Sequence, residues 1–150
     1  MDSFDRAILA VLAQDGRISW KDLAQQIGLS ETPTVRRVKA LEARGVIDGY
    51  SARINEAAAG RPISVFVSVS MDRQNQPELN TFEAAIADSP LILSCFMLAG
   101  DVDYLLRVAV ADIAEFQRFL DEVLRPIPGM RTISSSFALK PVIQRSLSVG

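Results

Sequence analysis

The sequence predicts an α+β protein with an N-terminal winged helix-turn-helix followed by a ferredoxin-like βαββαβ domain. The first observation is the helical spacing of apolar residues up to residue 54. The second is the apolar–serine alternation of ISVFVSVSM from Ile63, which has the period of a half-buried strand. The third is the segment NEAAAGRP between these two patterns, which contains glycine and proline breakers. We therefore predict a helical domain at residues 1–54, a linker at 55–62 and a second domain at 63–150.

Two helices are predicted before residue 30. The first runs from about Phe4 to Ala13, and the acidic residues near its start suit the positive end of a helix dipole. The second begins near Trp20, because Ser19 and Asp22 have the spacing of a capping box. It ends at Gly28, which can adopt the left-handed conformation of a helix terminus. The residues expected on their buried faces are Ile8, Leu9, Leu12, Leu23, Ala24 and Ile27.

A third helix and a hairpin are expected to complete the first domain. Ser30 is predicted to cap the helix through its side-chain oxygen, and Gly45 to end it. Asp48-Gly49 is a hairpin dipeptide, so the segments on either side of it, up to Ile54, are expected to pair as a wing. The inward-facing residues of the third helix are predicted to be Val35, Val38 and Leu41.

Two helices joined by a short turn containing glycine form the unit that places its second helix in the major groove of DNA. The N-terminal residues of that helix lie nearest the base edges, where Thr can contact several bases and Arg can bind guanine. Basic residues further along are expected to contact phosphates. The predicted DNA-binding residues are Ser30, Glu31, Thr32, Pro33, Thr34, Arg36, Arg37, Lys39 and Arg53. On helix spacing alone, the alternative is an amphipathic hairpin with a merely solvated basic face.

Positive charge is clustered in the chain rather than abundant. Residues 1–55 contain eight Lys/Arg and seven Asp/Glu, whereas the whole chain has a formal net charge of −2. Four of those eight positive charges lie between Arg36 and Arg44. A local basic stripe on an acidic body suits binding of a dimer to a specific double-stranded site better than indiscriminate coating of nucleic acid.

The composition argues against several classes of function. With no histidine and one cysteine, we expect no metal site, no cofactor and no histidine-activated nucleophile, and we predict that the chain is not an enzyme. The apolar runs are too short for a transmembrane helix, and MDSFDRAIL lacks the basic start of a signal peptide. We therefore expect a cytoplasmic protein without membrane contact, in which Cys95 is a reduced, buried core residue.

The second domain is predicted to contain four strands and two helices. These are a strand from Ile63, a helix at Pro77–Ala87, strands at Leu91–Leu98 and Tyr104–Val110, a helix from Asp112 to about Leu124, and a strand at Arg131–Leu139. The inward residues of the later helix are expected to be Ile113, Phe116, Phe119, Leu120 and Val123. This order is that of a split βαβ sandwich. Its open sheet face must be covered, so we expect a homodimer formed through the sheets.

Two sets of motifs, in one order along nearly the whole chain, resemble a known family. In the first domain they are Asp5, Ile8, Leu9, Leu12, Gly28-Leu29-Ser30, Val35, Arg37-Val38, Leu41-Glu42, Gly45-Val46-Ile47 and Gly49-Tyr50. In the second domain they are Gly100, Asp103, Tyr104-Leu105-Leu106 and Pro128-Gly129. These motifs resemble those of the Lrp/AsnC (feast/famine) transcription regulators, and the second domain is similar to that family's RAM (regulation of amino-acid metabolism) domain.

The resemblance implies a regulator that reads a roughly palindromic site in double-stranded DNA, dimerises and often assembles into octamers, and binds a small effector, usually an amino acid. In the family, the turn corresponding to Ala99–Tyr104 lines the effector pocket. Its backbone N–H groups would bind a carboxylate and its aspartates an ammonium, and the last strand of an adjacent subunit would add polar side chains. The effector residues implied in this way are Gly100, Asp101, Asp103, Tyr104, Thr132, Ser134 and Ser136.

Three alternatives stay open at this point. Gly-Asp at a hairpin is first of all turn chemistry, so the aspartates of the turn can be structural. An architectural DNA-binding protein without an effector would share the first domain but bind many sequences with little discrimination. An enzyme on the ferredoxin-like domain would have no histidine, no second cysteine and no paired carboxylates beyond the turn aspartates. A separate question concerns the last strand. Alternation along a strand places Thr132, Ser134 and Ser136 on one face, but it does not identify the face that lines a pocket.

Overall fold

The structure is a computed structural model that describes residues 1–144. Residues 145–150, which the predicted second domain includes, lie outside the described residues. The described chain forms two compact units, Met1–Arg53 and Ile54–Pro141, and residues 142–144 group with the first. None of the helices in residues 1–144 is long and apolar enough to cross a membrane.

Three helices form the first unit: α1 (Ser3–Leu12), α2 (Trp20–Ile27) and α3 (Glu31–Ala43). The predicted cap of α2 is present, because the Ser19 hydroxyl accepts a hydrogen bond from the backbone N–H of Asp22 at 3.1 Å. Gly28 ends α2 in the left-handed region at φ 73°. The helices enclose a core formed by Ile8, Leu9, Leu23, Ile27, Val38 and Leu41. Burying each of these side chains contributes roughly 1.5–3 kcal/mol.

The start of α3 differs from the prediction. Ser30 occupies the capping position, but its side chain makes no capping hydrogen bond among the described residues. Instead, the Ser30 carbonyl accepts hydrogen bonds from the Thr34 hydroxyl at 2.8 Å and from the Thr34 backbone N–H at 3.3 Å. The expectation that the Ser30 hydroxyl caps α3 is therefore wrong.

The predicted wing is also absent, since the described residues between α3 and the next strand at Ile63 contain no strand. The backbone N–H groups of Val46 and Ile47 both donate to the carbonyl of Leu41, at 2.9 and 3.3 Å. They therefore close the end of α3, which Gly45 terminates at φ 66°, instead of pairing with residues 50–54. The Tyr50 hydroxyl donates to Glu42 at 2.8 Å, so a side-chain contact attaches the returning segment to α3.

The second unit has the predicted βαββαβ order, which confirms the ferredoxin-like prediction. Its elements are β1 (Ile63–Met71), α4 (Gln76–Ala87), β2 (Ile92–Met97), β3 (Tyr104–Val110), α5 (Ile113–Phe119) with a π-helical turn at Leu120–Leu124, and β4 (Met130–Phe137). The sheet order is β2-β3-β1-β4, and every neighbouring pair is antiparallel. Strand β4 ends at Phe137, two residues before the predicted end.

The two faces of this sheet differ in character. The buried face carries Val65, Val67 and Val69 of β1, which pack with Phe82 of α4 and Phe116 of α5. Ile113 was expected to join this core, but it is 51% exposed because it lies in the first turn of α5. The opposite face carries the alternate residues of β1 and exposes Phe66 and, on β2, Phe96, which are 39% and 60% accessible.

Candidate nucleic-acid interface and effector site

The outward face of α3 brings together most of the residues predicted to bind DNA. Glu31, Thr32, Arg36 and Lys39 are exposed, and with the half-buried Val35 they line a shallow depression of about 440 Å³. Ser30 is exposed at the start of the helix, and Pro33 is half-buried in its first turn. Arg53 is exposed at the end of the first unit, outside any strand. The face therefore offers two cations, a hydroxyl, a carboxylate and an apolar floor, which are side-chain types that can bind phosphates and base edges.

Thr34 does not belong to this face. Its side chain is fully buried at 0% exposure, and its hydroxyl donates to the carbonyl of Ser30 at 2.8 Å. In an α-helix, position 34 is one turn before Val38, so it shares the inward face with that residue. The expectation that Thr34 contacts bases is wrong, since its side chain is buried and the carbonyl of Ser30 satisfies its hydroxyl.

Arg37 is bound to α1 rather than presented to solvent. Its Nη1 donates to Asp2 Oδ2 and to Asp5 Oδ1, both at 2.8 Å, and its guanidinium lies 5.4 Å from the centre of the Phe4 ring. The hydrogen bonds to Asp2 and Asp5 raise the pKa of Arg37. The backbone N–H of Asp5, with a further contribution from Arg37, lowers the pKa of Asp2. The placement of Arg37 among the DNA-contacting residues is thus corrected, because its charge is matched within the unit.

The turn between β2 and β3 is exposed at its tip and closed at its base. Gly100 and Asp101 are exposed, and a Cβ added at Gly100 would meet no atom of the described residues within 4 Å. The Leu98 N–H donates to the carbonyl of Asp103 at 2.8 Å, which closes the turn. The tip of the turn is therefore open to solvent.

Asp103 and Tyr104, which were expected to share this site, point into the unit. Asp103 is 8% exposed and accepts hydrogen bonds from the backbone N–H of Met71 and from the Gln74 amide, both at 2.6 Å. Tyr104 is 2% exposed, and its hydroxyl donates to Glu83 at 2.6 Å. The structure therefore uses both side chains to pack and join elements of the second unit, instead of presenting them beside Gly100.

The polar residues of β4 lie on the sheet face opposite the helices. Thr132, Ser134 and Ser136 pair in register with Ser70, Ser68 and Phe66 of β1, respectively, and all three are exposed. Thr132 is nearest the turn, because its partner Ser70 donates to the carbonyl of Asp101 at 3.5 Å. Ser136 is about 14 Å further along the strand. Ser70 was not among the predicted site residues, although its place in the ISVFVSVSM alternation assigns it to the polar face.

A second cavity lies between α4 and β2 and was not predicted. It measures about 480 Å³, and its wall includes Glu83, Ile86, Cys95, Met97 and Tyr104. Cys95 is half-buried rather than fully buried. Burial, followed by the nearby Glu83 carboxylate, raises the pKa of its thiol to about 11, so the thiol is protonated and weakly nucleophilic at neutral pH.

Comparison with known proteins assigns a family to both parts of the chain. Residues 1–42 match the model of the AsnC-type helix-turn-helix domain, and residues 64–147 match that of the Lrp/AsnC ligand binding domain. The Bkd operon transcriptional regulator of Pseudomonas aeruginosa is 51% identical over 146 residues, which cover 97% of this chain and 95% of that protein. The leucine-responsive regulatory protein of Escherichia coli is 35% identical over 144 residues, covering 96% and 88%.

Solved structures agree with this assignment. A transcriptional regulator of Neisseria meningitidis in complex with L-Met superposes with a TM-score of 0.94 at 32% identity, covering 100% of this chain and 96% of that one. An AsnC family transcriptional regulator of Agrobacterium tumefaciens gives a TM-score of 0.92 at 34% identity, covering 98% and 95%.

Fold, site and relatives define a transcriptional regulator with a helix-turn-helix domain and a separate domain for a small ligand. The chain belongs to the Lrp/AsnC family. Its relatives are transcriptional regulators, which confirms the prediction that it is not an enzyme.

Proposed function

We propose that this regulator binds specific double-stranded DNA sites through the outward face of α3, and that an uncharged aliphatic amino acid modulates this binding. The observation that carries the proposal is that some polar side chains of α3 are exposed, whereas others are bound within the unit. Arg36 and Lys39 are exposed beside Thr32 on a face that has no packing role, whereas Arg37 and Thr34 are bound within the unit. A folded three-helix unit has no structural need for that exposed basic face.

Three residues are the proposed base readers. Arg36 can bind guanine through two hydrogen bonds, Thr32 can reach several bases, and the half-buried Val35 can contact a thymine methyl. Lys39, one turn after Arg36, is proposed to bind a phosphate. Arg53 is proposed as a further phosphate contact, since it is exposed and has a long side chain that carries its charge into solvent. We also propose that the protein is cytoplasmic, because its proposed partner there is DNA.

The amino-acid effector is proposed from relatives and from the free tip of the β2–β3 turn. One similar structure is a complex with L-Met, and several relatives are named leucine-responsive regulatory proteins. Both amino acids have uncharged aliphatic side chains. Gly100 and Asp101 are exposed at the turn, so a backbone N–H could bind the carboxylate and Asp101 the ammonium. Thr132, Ser134 and Ser136 of an adjacent subunit are proposed to complete the pocket.

We further propose that the chain forms a homodimer through the sheet face that exposes Phe66 and Phe96, and that dimers assemble into larger rings such as octamers. Exposed aromatic residues on a sheet face are typical of a surface that another protein covers. Domain limits at residues 1–54 and 63–150 with a linker at 55–62 remain the proposed division of the chain.

A thermal-shift panel of the twenty amino acids tests the effector proposal. A ligand at 100 times its Kd stabilises the native state by about 2.7 kcal/mol. For a chain of this length, that corresponds to a rise in Tm of about 5–11 °C. We expect leucine, methionine or a close aliphatic analogue to raise Tm selectively. A flat panel would reject an amino-acid effector and favour a DNA-binding protein that acts without one.

A further inference from the structure

We infer that Asp2 and Asp5 are positioning residues for DNA recognition, because they clamp Arg37 and so fix the orientation of α3. The inference rests on the proposed function in one respect, since it assumes that α3 reads DNA. The three side chains are called the α1–α3 clamp below.

The clamp is a closed hydrogen-bond network. Asp2 Oδ1 accepts from the backbone N–H of Asp5 at 2.9 Å, and Asp5 Oδ2 accepts from the backbone N–H of Asp2 at 3.3 Å. The remaining oxygen of each carboxylate accepts from Arg37 Nη1 at 2.8 Å. The two aspartates that begin α1 are therefore the same two that hold the arginine of α3.

Partial burial makes this network stronger than an ordinary surface ion pair. The side chain of Asp5 is 12% exposed and that of Arg37 is 30% exposed, whereas Asp2 is 51% exposed. Salt screens partly buried pairs less than fully exposed ones. The guanidinium also lies 5.4 Å from the Phe4 ring centre, which adds a cation–π contact from the same helix.

The clamp adds directional contacts to the apolar packing that buries α3. Val38 and Leu41 bury the helix against the core at 0% and 1% exposure, but apolar contacts are not directional. Arg37 lies about 100° around the helix axis from Val38, on the flank of the buried face. Directional hydrogen bonds at this flank fix the rotation of the helix about its axis, and hence the direction in which Thr32 and Arg36 point.

The clamp also separates the roles of two cations of α3, Lys39 and Arg37. Lys39, the proposed phosphate contact, is exposed, whereas Arg37 is paired with two carboxylates. A residue that neutralises a phosphate contributes about 0.9 to the slope of log K against log salt. A residue that positions the helix leaves that slope unchanged and lowers discrimination between sequences. The two mechanisms therefore predict different results for replacement by glutamine at Lys39 and at Arg37.

The experiment compares Arg37→Gln and Asp5→Asn with the matched control Lys39→Gln in the full-length protein. The probes are a duplex that the wild-type protein selects from a randomised library and a scrambled duplex of equal length. For Arg37→Gln and Asp5→Asn we expect an unchanged salt slope and a loss of about fivefold or more in discrimination between the duplexes. A loss of this size corresponds to the weakening of one base contact. For Lys39→Gln, which removes the proposed phosphate contact, we expect the magnitude of the slope to fall by about 0.9.

Two further variants separate positioning from general destabilisation. The double variant Asp5→Asn/Arg37→Gln should lose no more discrimination than Arg37→Gln alone, because coupled residues are not additive. Arg37→Lys, which keeps the charge, should restore part of the discrimination. Circular dichroism and Tm identify any variant that does not fold, and Arg37→Lys with Asp5→Asn then carry the test.

The inference is overturned if Arg37→Gln lowers the salt slope as Lys39→Gln does, or if a folded Arg37→Gln discriminates as well as the wild type. Additive effects of Asp5→Asn and Arg37→Gln would also contradict it. Failure of the proposed function looks different: the wild type selects no sequence, or Lys39→Gln alters neither slope nor affinity.

Discussion

Replacing Asp103 by alanine should destabilise the second unit, rather than simply remove an effector contact. The carboxylate accepts hydrogen bonds from the backbone N–H of Met71 and from Gln74, both at 2.6 Å. Met71 is 3% exposed, so water cannot readily replace the lost acceptor at its N–H. Gln74 is exposed and its amide can rehydrate, which makes Met71 the larger part of the cost.

The size of the effect follows from these two contacts. A hydrogen bond to a charged group contributes about 1.5–3 kcal/mol, and a buried donor left unsatisfied costs about 1–3 kcal/mol. We therefore expect Asp103→Ala to lower the free energy of unfolding by about 3 kcal/mol. For a chain of this length, the corresponding fall in Tm is about 6–12 °C. Asp103→Asn keeps an acceptor for Met71 and should cost less than half as much.

The assay is thermal and urea unfolding followed by circular dichroism, with Asp101→Asn as the matched control on the same turn. Asp101 is exposed, so its substitution should change stability by no more than about 0.5 kcal/mol while reducing the Tm rise caused by the effector. The reasoning is refuted if Asp103→Ala unfolds at the wild-type temperature yet no longer responds to the effector. That result would make Asp103 a ligand contact and not a structural one.

Three other predictions concern contacts that the structure defines. Thr34→Val should lower stability by about 1 kcal/mol, the contribution of one neutral hydrogen bond, and should leave site preference unchanged. Thr32→Ala should instead alter site preference at constant stability. Sequence selection from a randomised library checks both variants, and the reverse pattern would restore Thr34 to the DNA-binding face. Arg107 donates to both oxygens of Glu56 at 2.8 and 2.6 Å. Glu56→Gln should therefore speed cleavage by elastase after the three alanines of the segment 55–62, and an unchanged rate would mean that this pair does not hold the segment. With a pKa of about 11, the Cys95 thiol in the native protein should be alkylated by iodoacetamide at a rate that rises up to about pH 11, whereas a plateau near pH 9 would show an ordinary exposed thiol.

The secondary structure was predictable where local signals agree. The cap at Ser19, the left-handed glycine after α2 and the alternation of β1 each depend on residues that are close together in the sequence. The ferredoxin-like topology followed from the order of the elements. The wing failed because a hairpin dipeptide competes with the C-terminal end of α3, where the carbonyl of Leu41 captures the N–H groups that a strand would use.

The roles of individual site residues were less predictable, because they depend on partners distant in sequence. Arg37 is bound by carboxylates 32 and 35 residues away, and Asp103 is bound by a backbone group 32 residues away. Neither partner is visible in the local pattern. Thr34 was misplaced for another reason: its polarity suggested exposure, although its helical position is one turn from Val38 and the carbonyl of Ser30 satisfies its hydroxyl.

The most direct test of the central claim is the affinity of the full-length protein for its selected duplex and for a scrambled duplex, each measured with and without a saturating aliphatic amino acid. Because coupling between two sites is reciprocal, an effector that changes DNA affinity must itself bind more tightly or more weakly when DNA is present. We predict strong discrimination between the duplexes and a change of about 5–150-fold in specific affinity when the effector is added. Equal binding to both duplexes, unaffected by any amino acid, would contradict the account and favour an architectural DNA-binding protein.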